Sequence, residues 1–281
     1  MNKLNTADRV RVVSALVEGN SIRATVRMTG VAKNTVAKLL VDLGKACAEY
    51  HDKHVRNVKA ARIQCDEIWS FCYAKQKNVP AALQGKFAYG DVWTWTAVDA
   101  NSKLIVSYMV GLRDGGYATE FIRDVASRLA NRVQLTTDGH RAYLEAVEDA
   151  FGGDIDYAQL VKVYGAERPG EARYSPAVCL AANPTPICAD PDRRYTSTSY
   201  IERQNLTMRM SLSRMTRLSN GFSKKVENLT HAIAIHFMHY NFCRIHQSLR
   251  VTPAMEAGLM DHVWEIDELV SLVETGRRPP L

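Results

Sequence analysis

Between Ala61 and Val163 the hydrophobic pattern switches period in a fixed order, and that order constrains the fold more than any other feature of the chain. Ala61 to Tyr73 alternates, with Ile63, Cys65, Glu67, Trp69 and Phe71 on one face and Asp66, Ile68 and Ser70 on the other. Period two over such a run predicts a strand. Val92–Val98 predicts a second strand and Leu104–Val110 a third, and the Asp99-Ala100-Asn101-Ser102 turn joins them as a hairpin. Phe121, Ile122, Val125 and Leu129 then recur at helical spacing, which predicts a helix over Ala118–Ala130. A fourth strand, Val133–Thr137, runs into Asp138-Gly139; a helix over Tyr143–Phe151 and a short strand over Tyr157–Val163 follow.

Three strands, helix, strand, helix, strand and then a further helix is the order of an RNase H-like domain. The expected fold class is therefore α/β, with a mixed five-stranded sheet and flanking helices. Gly165–Arg194 carries Pro169, Pro176, Pro184, Pro186 and Pro191 and reads as a long loop before the last helix. That helix follows Thr196-Ser197-Thr198-Ser199, which offers N-caps. Ile201, Met208, Leu212 and Met215 pack inward; Glu202, Asn205 and Arg209 share a second face, and Arg203, Arg214 and Arg217 a third. A second helical pattern spans Phe222–Phe242, Thr252-Pro253 breaks the chain, and a weaker acidic helix closes it.

Upstream, residues 6–46 give three short helical patterns. Thr6 caps the first (Val10, Val13, Val17), Ser21 the second (Ile22, Val26), and Gly30 stands in the turn before the third. The third buries Val36, Leu39 and Leu40 and displays Lys33, Asn34, Thr35 and Lys38. This describes either a helix-turn-helix reading DNA with the start of its third helix, or a plain trihelical bundle with a basic face. The stretch from Gly44 to Ala60, with His51 and His54, reads as a polar helix or linker. The expected division is an all-α helix-turn-helix domain with linker over 1–58, a catalytic domain over 59–243 and a C-terminal motif with acidic tail over 244–281.

Charge supports a polyanionic partner. The net charge is +6, but residues 1–64 hold twelve Lys/Arg against five Asp/Glu, and Arg193–Lys225 holds eight basic residues against one acid, Glu202. Six cysteines without a C-x-x-C pair predict reduced thiols in a cytosolic protein. No signal-like start and no apolar run near the roughly 20 residues needed to cross a bilayer are present, so no membrane association is expected.

Three acids stand at telling places: Asp66 mid-strand, Asp138 at a strand end, Glu202 opening a helix. In an RNase H-like arrangement the first and fourth strands are neighbours and the last helix crosses their edge, which brings the three together. Converging carboxylates repel unless cations intervene, and hard oxygen donors with an open shell suit Mg²⁺, with Mn²⁺ as a substitute. Two ions about 3.5–4 Å apart are expected, clamping the attacking and leaving oxygens of a phosphoryl displacement. Glu202 has a plainer alternative, a salt bridge to Arg203 or Arg209. Glu67 points to the opposite face of its strand and is a poor co-ligand; Asp99 is a turn residue; Asp190, Asp192, Glu167 and Glu171 lie in the loop and compete with Glu202. His140 is either a turn histidine or a group reaching a phosphate. His231, His236 and His239 lack metal-helix spacing and read as core or surface histidines.

Asp66-Glu67-Ile68-Trp69, Thr137-Asp138-Gly139 and Tyr200-Ile201-Glu202-Arg203-Gln204-Asn205-Leu206, followed by Arg209, Leu212, Arg214 and Phe222-Ser223-Lys224, resemble the DDE transposases of bacterial insertion sequences, and among them the insertion-sequence-one family. Tyr240-Asn241-Phe242-Cys243-Arg244-Ile245-His246 with Leu249 and Thr252-Pro253 is similar to the motif closing many integrase-like transposase domains. The resemblance covers about residues 61–258. It implies a retroviral-integrase-like fold, Mg²⁺ dependence, cleavage at the element ends and attack of the freed 3′-hydroxyl on target DNA. Carried over residue by residue, the acids are Asp66, Asp138 and Glu202; Arg203, Asn205 and Arg209 are near the substrate; Arg244 and His246 are auxiliary. It also implies terminal inverted repeats and target DNA as partners, at least a dimer on DNA, and a bacterial cytoplasmic location. Some relatives carry a cysteine zinc finger before the helix-turn-helix, and this chain has none. A nuclease of the same fold that never joins strands, and a non-catalytic DNA-binding regulator, are the rival expectations.

Overall fold

The computed structural model of the chain describes residues 4–165, 178–216 and 220–275. Three helices come first: α1 (Thr6–Val17), α2 (Ile22–Thr29) and α3 (Lys33–His54). Ser21 Oγ accepts from Ala24 N, and α2 ends at Gly30 in the left-handed region (φ 72°), so the chain turns at once into α3. Of the stretch read as a polar helix or linker, residues 44–54 are helix, the end of α3, but not polar throughout: Gly44, Cys47, Tyr50 and His51 are buried. Gly44 is what permits this. A β-carbon there would sit 2.3 Å from Cβ of His231 on α7 (Val226–Met238), so the two helices cross at glycine contact distance.

The sheet has six strands: β1 (Arg62–Cys72), β2 (Gly90–Asp99), β3 (Ile105–Gly111), β4 (Gln134–Asp138), β5 (Asp156–Tyr164) and β6 (Cys179–Cys188), in spatial order β3-β2-β1-β4-β5-β6. β1 pairs antiparallel with β2 and parallel with β4, so the first and fourth strands are neighbours as expected. The five-strand expectation is corrected by β6, which lies within the stretch read as loop and pairs antiparallel with β5. Pro184 and Pro186 concealed it. Proline removes a ladder donor, but an edge strand tolerates that, and β6 is the edge.

Alternation sorts the strands onto two faces. Ile63, Cys65, Trp95 and Ala97 join one cluster with Phe121, Ile122 and Val125 of α4 (Gly115–Arg128) and Tyr143 and Val147 of α5 (Ala142–Phe151). Ile68, Cys72, Val92 and Val98 join the other with Ile201 and Met208 of α6 (Ser199–Ser211) and Ile233 and Phe237 of α7. The first cluster continues without a break into Val12, Val13, Leu40 and Leu43 of α1 and α3. At the β3 edge, buried Asn241 accepts from Ile105 N (2.9 Å) and donates to Ile105 O (3.0 Å), while His51 Nε2 donates to the same carbonyl (3.0 Å). Two side chains thus satisfy backbone that a further strand would otherwise pair. After a π-helical turn over His239–Cys243, α8 (Pro253–Glu256) and α9 (Ile266–Thr275) close the chain. Among the described residues no helix is long and apolar enough to cross a membrane.

Candidate active site

Register brings the two aspartates together. The parallel β1–β4 ladder ends at Cys65–Thr137, so Asp66 and Asp138 are the next positions on adjacent strands. Asp138 Oδ1 accepts from His140 N (2.9 Å), which shapes the turn at Gly139. Asp66 Oδ1 accepts from the backbone N–H of Glu67 (2.9 Å), folding the carboxylate back along its own strand.

Helix α6 lies along β1 on the Asp66 face. Gln64 Oε1 accepts from Tyr200 N (2.9 Å) and Ile201 N (3.1 Å), satisfying two amides of the first turn. Asn205 Nδ2 donates to Asp66 Oδ2 (2.8 Å), and Arg209 donates to Trp69 O (3.1 Å) and Met215 O (2.8 Å). The expected common face of Glu202, Asn205 and Arg209 is therefore the face that meets β1. Asn205 and Arg209, read from sequence as substrate-facing, are engaged with the strand itself.

The three acids that converge are Asp66, Asp138 and Glu67, with ligand oxygens within 4.8 Å of one another. Glu67, read from sequence as a poor co-ligand because alternation turns it away, nonetheless brings a carboxylate oxygen into this group. Alternation does bury Glu67, whose side chain is 0% exposed, but Arg113 Nε (2.6 Å) and Tyr143 Oη (2.9 Å) hold its carboxylate, and the same guanidinium lies 3.6 Å from Asp138. Arg113 thus bridges Glu67, midway along β1, and Asp138, at the end of β4. Burial, then Glu67 and Asp138, push the Asp66 carboxyl up to about 7, with Glu202 adding to the effect. Burial, then Asp138, also raise Glu67, against the pull of Arg113.

Glu202 stands beside this group rather than in it. Its carboxylate, 44% exposed, accepts from Lys162 Nζ of β5 and from Thr198 Oγ1. Its salt bridge is thus to Lys162 and not to Arg203 or Arg209, and only the β4–β5 pairing carries Lys162 to the site. Arg203 is exposed on the adjacent face of α6. Arg214 is withdrawn, donating to Ser223 Oγ (2.8 Å), and burial pulls it below the ordinary arginine range. Arg217, Glu167 and Glu171 lie outside the described residues. His140 packs its ring near Trp95 and Tyr143, and its Nε2 is buried without a hydrogen-bond partner. His246 Nδ1 meets Ser248 Oγ (3.1 Å), and Arg244 is exposed beside it. Lys33, Asn34 and Thr35 are exposed at the start of α3; Lys38 pairs with Asp42 (2.6 Å). Lys33 borders a cavity of about 720 Å³ together with Arg23, Arg214 and Lys224.

The chain is similar to two solved transposase assemblies. One is the cryo-EM structure of a piggyBac transposase synaptic complex with hairpin DNA, at 12% identity, covering 97% of this chain and 71% of that one, with a TM-score of 0.41. The other is the crystal structure of a pre-cleavage Mos1 transpososome, at 10% identity, covering 56% and 60%, with a TM-score of 0.22. No protein-family model matches the chain, and no curated protein matches it. At this level of similarity the chemistry of the site has to be read from its own residues.

Those residues fit a divalent cation. The donors are carboxylate oxygens only, the choice of hard ions such as Mg²⁺ or Mn²⁺. Asp66, held near 7 by burial and like charge, is the group whose ionisation a cation would most favour.

Proposed function

We propose that this chain is a DNA transposase of an RNase H-like fold, from a bacterial insertion sequence of the insertion-sequence-one type. In this reading it binds the terminal inverted repeats of its element and joins their strands to target DNA by metal-dependent phosphoryl transfer. The observation that carries it is the convergence of Asp66, Glu67 and Asp138 within 4.8 Å where β4 ends beside the middle of β1, with Glu202 on the helix that lies along β1. Asp66, Asp138 and Glu202 are assigned as the catalytic and metal-holding acids, for two ions. A bound divalent cation supplies Lewis acidity toward a phosphate oxygen and favours deprotonation of a water or 3′-hydroxyl.

The chain's own residues set the stage for that chemistry. Asn205 donates to Asp66 Oδ2 and so presents Oδ1 and the remaining lone pairs in one orientation. Arg113 and Tyr143 keep Glu67 fixed behind the two aspartates. Lys162 and Thr198 hold Glu202 at the rim, where its charge adds to the field on Asp66. No protein nucleophile is required: Cys65 and Cys72 are buried, and burial raises both thiols away from thiolate.

Recognition of the ends is assigned to the α2–α3 pair as a helix-turn-helix, with Lys33, Asn34 and Thr35 at the exposed start of α3. Lys38, Arg203 and Arg217 complete the assigned DNA contacts; Asn205 and Arg209 hold β1 and Arg214 is withdrawn onto Ser223, so these three act by positioning, and Arg244, His246 and His140 are auxiliary. Residues 1–58, 59–243 and 244–281 are the corresponding functional regions. Two ends joined in one event call for at least a dimer on DNA, in the bacterial cytoplasm.

Strand transfer in vitro tests the reading: labelled element-end DNA, a plasmid target, Mg²⁺ against EDTA, and wild type beside Asp138→Asn. Joined product that needs the metal and vanishes in the variant supports it. Cleavage without joining replaces it with a nuclease, and binding without either reaction replaces it with a DNA-binding protein.

A further inference from the structure

Helix α6 has a second polar face. Tyr200, Arg203, Gln204 and Thr207 follow i, i+3, i+4 and i+7 spacing and form one stripe, next to the stripe that meets Asp66. This stripe borders a cleft of about 400 Å³, closed on its other side by the turn after the π-helical segment and by the β2–β3 hairpin. Lys103, Arg203, Arg244 and His246 line it, and no carboxylate does.

Four features say that the cleft is built for an oxyanion. Arg203 and Arg244 make no ion pair among the described residues, although both project into it. Gln204 is 3% exposed, lines the cleft, and leaves its side-chain Nε2 buried without a hydrogen-bond partner. An unmade buried donor is costly, and a ligand acceptor would satisfy it. Lys103 occupies the left-handed region (φ 62°), where a β-carbon is disfavoured, and its ammonium lies 3.4 Å from the centroid of the Tyr200 ring. Burial, then Lys103, Arg244 and Arg203, lower His246, the response of an imidazole in a positive field with no anion present. The cationic side chains Lys103, Arg203 and Arg244 disfavour a cation and favour an anion, although Lys103 Nζ also donates to the Ala100 carbonyl.

We propose that Lys103, Arg203, Gln204, Arg244, His246 and Ser248 form a binding site for a DNA backbone phosphate, separate from the acid cluster, that grips the strand a short way from the scissile bond. The inference rests on the strand-transfer reading and deepens it. Both sites share α6, a cylinder about 10–12 Å across, and phosphates along one strand advance by about 3.4 Å of axis. The two stripes are adjacent on one helix, so one strand can reach both the cleft and the acids.

The test uses the full chain, a duplex taken from the end of its own DNA element, and EDTA to prevent cleavage. Anisotropy titrations over a salt series compare wild type with Arg203→Gln/Arg244→Gln, on duplexes each carrying one methylphosphonate. Removing two phosphate contacts should lower the magnitude of the salt slope by about 2. One methylphosphonate should weaken wild type about tenfold and the double variant hardly at all, the mark of a shared contact. Thr207→Glu, which places a carboxylate in the cleft without touching either arginine, should reproduce the loss and carries the test if the double variant fails to fold by near-UV circular dichroism. Wild-type affinity and slope in folded variants overturn the proposal. So does inorganic phosphate that protects the cleft while DNA binding ignores both variants. Wild type that gives the expected signature but never joins strands keeps the cleft and overturns only the transposase reading.

Discussion

Buried ionisable groups appear in two regions of this molecule and behave in opposite ways. Where β4 ends beside the middle of β1, acids gather in a buried place: burial, then Glu67 and Asp138, hold Asp66 up to about 7. In the α3–α7 packing, burial isolates bases: His51 is pulled down to about 4 and His236 to about 3, each by desolvation first. The histidines are neutral packing elements, one bonded to the Ile105 carbonyl and the other with Nε2 unpartnered. Like charge gathered at one point, only partly met by Arg113, favours a further counter-ion. A lone neutral base in a core is packing. Burial alone does not distinguish them; the company each group keeps does.

The sharpest way to break the comparison is to remove an acid. Asp138→Asn should lower strand joining by at least about 10³-fold, the scale of losing one preorganised charge at a reacting phosphate, with the fold intact by circular dichroism. Retained joining would remove Asp138 from the reaction.

The second effect is on stability, and its sign differs between the regions. Asp66 has a folded pKa near 7 against an ordinary 3.8, so its contribution is fully present below about pH 4 and is lost as pH rises through 7. In metal-free buffer Asp66→Asn should therefore stabilise the protein at pH 7, by at most about 4 kcal/mol, and leave it nearly unchanged at pH 4. Denaturant titrations at both pH values read this directly. Saturating Mg²⁺ should stabilise wild type by about 3 kcal/mol at a hundredfold excess over its dissociation constant, and Asp66→Asn far less.

Asn205→Ala removes the donor that orients Asp66 while leaving every acid in place. The expected loss is about 10–100-fold in metal affinity or rate, measured as the Mg²⁺ concentration giving half-maximal joining. An unchanged metal curve would make the Asn205 contact incidental.

The smallest effect belongs to the histidines. Their folded pKa values lie below the ordinary 6.5, so the unfolded chain takes up protons that the fold refuses, and stability falls as pH drops below 6.5. His236→Leu should flatten that limb, sparing about 2 kcal/mol at pH 5. An equally steep acid limb in the variant would assign it to other groups.

Much of this was legible in the residues. Alternation through Ile63, Cys65 and Ile68 assigned opposite faces of β1 correctly, because period two is a local consequence of the pleat. Asp138 before Gly139 marked a strand end, and the Glu202–Asn205–Arg209 stripe marked one side of a helix. Other features escaped for identifiable reasons. Pro184 and Pro186 made β6 look like loop, since nothing local announces that a strand will lie at an edge. The 44–54 stretch looked polar because its buried positions, Gly44 and His51 among them, are not apolar in type. Glu67 was set aside by alternation, yet its carboxylate, held by Arg113 from a distance in sequence, joins the group.

By itself, then, the sequence determined β1–β5 and most helices with their faces, and picked out Asp66 and Asp138, since periodicity and caps act over a few residues. Tertiary structure alone decided which acids meet, that Asn205 holds Asp66, and that Lys162 rather than a neighbouring arginine holds Glu202. The physical reason is strand register: the β1–β4 ladder joins residues about seventy positions apart and the β4–β5 ladder adds β5 beside them, through hydrogen bonds that no local pattern encodes.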